Sequence, residues 1–308
     1  MTEHNHPHHE AHGHAHVPKD FGAAFAIGIV LNLGFVVVEG VYGLLANSMA
    51  LIADAGHNLG DVLGLVIAWV ATVLARRAPS QNYTYGLRRA TILAALANAM
   101  LLLVAVGAIT IEGIRRLSEP GEIASVTVMV VAAVGIVING VTAWLFASGR
   151  KGDINVRGAY LHMVYDALIS LGVVAAGGLM FFSGWTWIDP LVSLAIAAII
   201  LVGTWNLLRD AVGMSLDAVP IGLKLDEVST FLKEQPGVTA IHDLHIWSMS
   251  TTETVLTCHC LMPGGHPGDE FLVRLARELQ ERFKIDHATI QIEIHEHIAC
   301  VLEPDHVV

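Results

Sequence analysis

Two histidine–aspartate pairs with the same spacing are the residues of this chain best suited to chemistry. His57 precedes Asp61 by four positions and His162 precedes Asp166 by four, each pair within a long apolar stretch. A spacing of four places both side chains on one face of an α-helix. Two imidazoles and two carboxylates suit a four-coordinate divalent ion such as zinc. Since ionisable groups at bilayer depth are costly and normally functional, the pairs predict a metal site inside a membrane.

A purely structural role is the alternative for these pairs. Each couple would then satisfy its own hydrogen bond and hold helices together, although two identical couples on different helices favour a shared ion site. Helical rise places Asp61 about 21 Å from Ala75, the predicted end of its span, and Asp166 about 12 Å from Gly158, the predicted start of the other. Tilt, or helices that project beyond the bilayer, would bring the pairs to one depth.

The elements that must position these residues are predicted to be transmembrane helices. Of the 308 residues, 54% are hydrophobic and only 15% are charged, whereas soluble domains carry roughly 25% charged residues. Six stretches are long enough to cross a hydrocarbon core, which takes about 20 helical residues. They are Phe21–Leu45, Met49–Ala75, Ala90–Ile114, Ile123–Ala147, Gly158–Phe182 and Ile188–Leu208. Residues 21–212 are therefore predicted to form an all-α membrane domain with six transmembrane helices.

Basic residues beside the spans predict the orientation of this domain. One side has only Arg115 and Arg116, and the other has nine: Lys19, Arg76, Arg77, Arg88, Arg89, Arg150, Lys151, Arg157 and Arg209. The positive-inside rule then places both termini in the cytoplasm. We expect the protein to lie in the inner membrane. Residues 1–20 are predicted to be a disordered leader, and seven of the 17 histidines lie between His4 and His16. Such a leader can hold ions loosely, and its irregular spacing argues against an expression tag.

Residues 213–308 have a different character and are predicted to be a cytoplasmic domain. From Leu216 onward there are 15 Asp and Glu against six Lys and Arg. Hydrophobic patterning gives the element order αββαβ, which predicts a small ferredoxin-like α+β domain with helices on one face of a three-stranded sheet. The three cysteines all lie here, and an odd, late cluster predicts a reducing compartment and no disulfide framework.

Taken together, these features resemble the cation diffusion facilitator family. The resemblance rests on the segment Ser48, Leu51, Asp54, Ala55, His57, Asn58 and Asp61, on the His162/Asp166 partner pair, and on the six spans, the leader and the acidic tail. It is nearest to the bacterial zinc, cobalt and cadmium branch. The resemblance implies a homodimeric, proton-coupled exporter whose transport site consists of His57, Asp61, His162 and Asp166. The family's version with two histidines and two aspartates is associated with zinc, which suits the softness of imidazole.

The resemblance also implies a second metal site and an interhelical or intersubunit charge pair that could link the membrane and cytoplasmic parts. The family's cytoplasmic domain dimerises and can bind metal as a regulatory ion, and the matching positions are His242, His259 and His295, with His297 beside them. Surface histidines on an acidic sheet are the alternative. A charge pair is expected near Arg89 and Asp217, unless Arg89 is an ordinary positive-inside anchor.

Two further acidic residues lie within the predicted spans. Asp54 is about one turn before His57, which suggests a contact to the ligands or a place on the access route, or else a helix cap near the surface. Glu39 is likewise expected beside the ligands or on the access route, because burying an unpaired carboxylate costs more than burying an amide; an interhelical hydrogen bond is the alternative.

The predicted function is export of zinc, with cobalt and cadmium as further substrates, in exchange for protons. Imidazole must be neutral to bind a metal, so metal and protons compete for the site. A site that faces one side at a time turns this competition into antiport. A metal sensor or storage protein that does not translocate is one alternative. An intramembrane metallohydrolase is another, but the sequence lacks HExxH and an open coordination position. We expect no enzyme activity, organic cofactor or nucleic-acid partner.

Overall fold

The computed structural model describes residues 22–119, 121–147, 154–295, 300 and 302. The predicted leader, residues 1–20, and His297 lie outside these ranges. Six long helices come first in the chain: α1 (Gly22–Leu45), α2 (Met49–Ala75), α3 (Ala90–Ser118), α4 (Ser125–Ala147), α5 (Ile154–Ser183) and α6 (Ile188–Ser215). Five of them are long and apolar enough to span a bilayer, and α1 contributes a shorter apolar stretch, Val30–Leu45. The predicted fold class, a membrane helix bundle followed by an α+β domain, is confirmed.

Helix α5 begins earlier than the sequence predicted. It starts at Ile154 rather than Gly158, which places Asp166 about 18 Å from the start of its helix. Asp61 lies about 21 Å from Ala75, the end of α2, so the two pairs are at similar distances from the same end of the bundle. The longer helix accounts for most of the offset that the predicted spans left between the pairs.

Buried apolar residues from several helices pack together at the centre of the bundle and fix how these helices contact one another. The core includes Phe35 of α1, Leu51 of α2, Val128 of α4 and Val173 of α5. At Gly135 a Cβ atom would lie only 2.6 Å from the ring of Phe35, so the absent side chain lets α1 and α4 approach.

The C-terminal domain follows the predicted order αββαβ. Its elements are α7 (Leu225–Lys233), β1 (Ala240–Ser248), β2 (Thr254–Leu261), α8 (Asp269–Phe283) and β3 (His287–Glu293). The sheet order is β1-β2-β3, with β1 antiparallel and β3 parallel to β2. A parallel pair requires a crossover, which α8 provides. Leu232, Leu256, Leu275 and Leu279 form the centre of the core between sheet and helices.

Strand β1 contains an irregularity that matters for its polar residues. The pairing register with β2 shifts between His242 and His245, and Asp243 has a φ of 51°. A bulge of this kind re-aims side chains on the bulged strand. It brings the Asp243 carboxylate within 2.8 Å of His245 Nε2 and within 3.5 Å of His259 Nε2.

Candidate metal transport site

The two histidine–aspartate pairs converge between α2 and α5. His57 Nε2 lies 3.7 Å from Asp61 and 3.9 Å from Asp166, and His162 Nε2 lies 3.3 Å from Asp61 and 3.5 Å from Asp166. Each imidazole therefore faces one carboxylate of its own helix and one of the other helix. Ligands about 2.0–2.2 Å from a tetrahedral zinc ion are about 3.3–3.5 Å apart, so a small contraction would close this shell around one ion.

Three side-chain atoms of this group make no aligned hydrogen bond within the described part of the chain, although two of them lie 3.3 and 3.5 Å from His162 Nε2. They are the Asp61 Oδ2 and Asp166 Oδ2 atoms and His57 Nδ1. Unpaired buried acceptors are costly, and a divalent cation at the centre would satisfy the two carboxylate oxygens. The arrangement therefore fits a cation better than it fits two self-contained hydrogen-bonded couples.

The four side chains differ in how far they are exposed. The exposed fraction is 41% for His162 and 31% for Asp61, but 20% for His57 and 2% for Asp166. His162 and Asp61 lie one helical turn closer to the C-terminal domain than their partners, so the site opens toward that end. The opposite side of the site is closed.

Asp54 and Glu39 lie on this closed side. Both are buried, and Asp54 Oδ2 accepts a hydrogen bond from the Ser170 hydroxyl at 3.4 Å. Asp54 does not cap α2, because that role belongs to Ser48, whose hydroxyl oxygen accepts from the Leu51 amide at 3.3 Å.

Sequence reasoning missed the residue that fixes the start of α2. Asp189, at the first turn of α6, is fully buried and accepts hydrogen bonds from the Ser48 hydroxyl and the Met49 amide, both at 2.5 Å. The Ala50 amide donates to it at 3.4 Å. A carboxylate at a helix N-terminus also interacts favourably with the helix dipole. A proline after Asp189 suits the first turn of α6, but nothing local points to a partner so far away in the chain.

A second group of potential ligands lies on the sheet of the C-terminal domain. His242 of β1 and His259 of β2 are cross-strand partners, with ring centroids 5.1 Å apart. Glu293, the last residue of β3, lies 3.0 Å from His259 Nδ1 and 3.4 Å from His242 Nε2. With Cys300, these residues present ligand atoms that all lie within 4.8 Å of one another.

The electrostatics of this group favour an ionised carboxylate. Burial alone would raise the pKa of Glu293, but the Cys300 thiol and the neighbouring His242 and His259 outweigh it and lower that pKa. Nε2 of His242 is buried and makes no aligned hydrogen bond within the described residues, although it lies at ion-pair distance from Glu293. This unpaired nitrogen and the set of donors fit a zinc-like ion.

The composition of this second group differs from the sequence expectation. His295 is exposed and lies outside the group, because β3 ends at Glu293 and the strand alternation stops there. Cys300 enters the group instead, although its position beyond the strand gave no periodic signal. Cys258 and Cys260 are buried in the domain core, on the sheet face away from His259.

Comparison with known proteins decides the family. A family model described as the cation efflux transmembrane domain matches residues 25–214, and one described as the cation efflux protein cytoplasmic domain matches residues 220–295. The chain belongs to the cation efflux family. The resemblance to cation diffusion facilitators is thereby confirmed, and this cation efflux protein is a transporter rather than an enzyme.

Curated relatives match this cation efflux protein over most of their length. The cadmium, cobalt and zinc/H(+)-K(+) antiporter of Bacillus subtilis strain 168 is 33% identical over 290 residues, covering 92% of this chain and 93% of the relative. The metal cation efflux system protein CzcD of Cupriavidus metallidurans is 37% identical over 284 residues, covering 92% and 90%. The zinc transporter ZitB of Escherichia coli K12 is 35% identical over 291 residues, covering 93% and 92%.

Charged residues join the two domains of this cation efflux protein. Arg89, just before α3, donates to Asp217 at 2.5 Å, in the link that follows α6. Arg88 pairs with Glu253 in the turn between β1 and β2, and the Thr251 amide donates to the Thr91 hydroxyl at 3.1 Å. These contacts attach the hairpin of the C-terminal domain to the start of α3.

Exchanging the charges of the Arg89–Asp217 pair tests whether it stabilises the interdomain contact. Arg89→Asp alone should lower the free energy of unfolding by about 1 kcal/mol or less, because both side chains are half exposed. The double variant Arg89→Asp/Asp217→Arg should recover most of that loss. Thermal unfolding of the purified protein in detergent, over a double-mutant cycle, measures the coupling. Asp217→Arg alone accounts for the cost of placing Arg at a φ of 57°. A coupling free energy of zero over the whole cycle would show that the pair contributes nothing.

Proposed function

We propose that this protein exports divalent metal ions from the cytoplasm in exchange for protons. Zinc is the principal substrate, with cobalt and cadmium as further substrates. The observation that carries the proposal is the convergence of His57, Asp61, His162 and Asp166 between two transmembrane helices. The names of the relatives, which include zinc transport and proton antiport, support the same conclusion.

The ligand chemistry explains how metal and proton would be exchanged. A zinc ion that arrives from the C-terminal-domain end meets the exposed His162 and Asp61 first and then the more buried His57 and Asp166. Binding requires neutral imidazoles and ionised carboxylates, so protons leave as the ion enters. Rearrangement of the bundle to open the opposite side would then let protons displace the ion. Two nitrogen and two oxygen ligands favour zinc over the harder manganese ion.

The proposal includes the membrane location of the protein, its division into domains and its oligomeric state. We infer that both termini lie in the cytoplasm, because the flanking basic residues divide nine to two, and that the membrane is the inner one, which borders the compartment that the ion would leave. We also infer a division into a leader, residues 1–20, a transport domain, residues 21–212, and a cytoplasmic domain, residues 213–308. The match to the family's cytoplasmic-domain model supports a homodimer formed through the last of these.

Transport into vesicles tests the main proposal. The purified protein would be reconstituted into liposomes that contain a zinc-sensitive dye, with zinc outside and an interior more acidic than the exterior. Zinc entry should accelerate with the gradient and slow when a protonophore collapses it. Cobalt and cadmium should compete with zinc, whereas manganese should compete poorly. A sensor or storage protein would bind zinc without any change in the internal dye signal, which would overturn the proposal.

We further propose that His242, His259, Glu293 and Cys300 hold a regulatory metal ion. Such an ion would draw β1, β2 and the segment after β3 together. The nitrogen, carboxylate and thiol donors match those of zinc sites in proteins. His295 and His297 are not needed for this set of four.

A single substitution separates this regulatory site from the transport site. His259→Ala removes the residue that contacts Glu293, Cys300 and Asp243, so the purified protein should bind one zinc ion fewer per chain. Equilibrium dialysis followed by metal analysis measures the count. His266→Ala, which changes an exposed histidine outside the group, should leave it unchanged. An unchanged count in His259→Ala would contradict the assignment.

A further inference from the structure

Two buried carboxyl groups lie beside the transport site without being part of it. Glu39 of α1 has 0% of its surface exposed and Asp54 of α2 has 1%. Both carboxylate oxygens of Glu39, and Oδ1 of Asp54, have no hydrogen-bond donor among the described residues. The remaining oxygen, Asp54 Oδ2, accepts from the Ser170 hydroxyl at 3.4 Å.

The groups around Glu39 do not neutralise it. Those that act on its carboxyl are the Asp54 carboxyl, the Asn58 amide and, at longer range, Asp166, and none of them is a cation. The Asp54 carboxyl in turn interacts with the Glu39 carboxyl and the Ser170 hydroxyl, and electrostatically with Asp166 and His57. Two adjacent carboxylates in a buried site cannot both ionise without a large cost. A proton shared between Glu39 and Asp54 would supply the donor that their facing oxygens lack.

The position of the pair connects it to the metal site. Asp54 precedes His57 by three residues on α2, which is about 4.5 Å along the helix. Ser170, which contacts Asp54, follows Asp166 by four residues on α5. On each helix, therefore, one of these two residues lies about one turn beyond a metal ligand, on the side remote from the C-terminal domain. The pair therefore lies next to the most buried ligands, on the side of the site remote from the C-terminal domain.

We propose that Glu39 and Asp54 form a proton-binding site that is distinct from the metal ligands and loads and unloads once in each transport cycle. The proposal rests on the proposed metal/proton antiport. A divalent ion beside His57 and Asp166 favours dissociation of the shared proton: the carboxyl O–H bond breaks, the proton leaves to water, and the charge of the pair changes from −1 to −2, which the cation offsets. By reciprocity, a proton that reaches the pair from the remote end returns its charge to −1 and weakens cation binding.

The ratio of proton flux to zinc flux tests this site. Proton flux and zinc flux are measured in liposomes that are loaded with a pH dye or a zinc dye, in potassium-free buffer. The unmodified protein is compared with Glu39→Gln. This variant keeps the shape of the side chain but cannot exchange a proton. The variant should move fewer protons for each zinc ion. Glu119→Gln, at an exposed site outside the bundle, should keep the original ratio. Glu39→Asp, which restores the carboxyl, should bring the ratio back toward that of the unmodified protein.

The flux ratio distinguishes a proton site from a merely structural role. A structural defect in Glu39→Gln would lower both fluxes together and leave the ratio unchanged, and that outcome overturns the proposal. Should the variant transport too slowly, protons released when zinc is added to detergent-solubilised protein give the same comparison: fewer protons than from the unmodified protein support the site, and an equal number overturns it. Asp54→Asn should lower the count in the same way. If the unmodified protein exchanges no zinc for protons, the proposed antiport itself fails.

Discussion

Asp166→Asn should reduce zinc transport to the background of empty liposomes, a loss of at least about 100-fold. Asp166 faces both imidazoles of the transport site, with oxygens 3.9 Å from His57 Nε2 and 3.5 Å from His162 Nε2. The substitution keeps the size of the side chain but removes one of two anionic ligands. Zinc entry into dye-loaded liposomes measures the rate, and equilibrium dialysis measures the loss of bound zinc.

Folding should survive this substitution, which makes the result interpretable. Asp166 is almost fully buried, so replacing its carboxylate with an amide removes a desolvation cost rather than adding one. Asp210→Asn is the matched control, because Asp210 lies near the end of α6, 3.5 Å from Arg209 and away from the transport site. Transport by Asp166→Asn at the rate of this control would show that α5 contributes no essential ligand.

Asp189→Ala should lower the free energy of unfolding by about 3 kcal/mol or more. The substitution leaves the Ser48 hydroxyl and the first amides of α2 buried without their acceptor. It also removes a negative charge from the N-terminus of that helix. Thermal or chemical unfolding of the purified protein in detergent measures the change.

Two companion variants show whether the loss comes from these hydrogen bonds. Asp189→Asn keeps one acceptor oxygen and should cost less than Asp189→Ala. Asp210→Ala removes a more exposed carboxylate from the same helix and should change stability little. Equal stability of Asp189→Ala and the unmodified protein would mean that α2 is held in place by packing alone.

Helical periodicity explains why the residues of the proposed transport site could be grouped from the sequence. A spacing of four fixes that His57 and Asp61 share a face, whatever the rest of the fold does, and the same holds for His162 and Asp166. Apolar length likewise predicted the helices, since a bilayer demands it. Which faces of α2 and α5 meet depends on packing between helices, and only the repeated pattern suggested that they would.

The features that the sequence did not predict depend on contacts between distant segments. The partner of Asp189 is 140 positions away, and no local pattern links an acidic residue before a proline to the cap of another helix. Cys300 lies beyond the end of β3, where the alternation of a strand no longer fixes direction. The early start of α5 was hidden by Asn155 and Arg157, which interrupt its apolar run.

The hydrogen bonds that Asp189 accepts hold the N-terminal end of α2 in place, and no comparable contact holds its C-terminal end among the described residues. A helix held at one end in this way can rotate about that end as a rigid body. Asp61 lies about 18 Å from the fixed end and Asp54 about 8 Å, so any swing of α2 about Met49 displaces Asp61 more than twice as far. A small rotation of α2 about Met49 would thus separate Asp61 from His162 and would move Asp54 less than half as far.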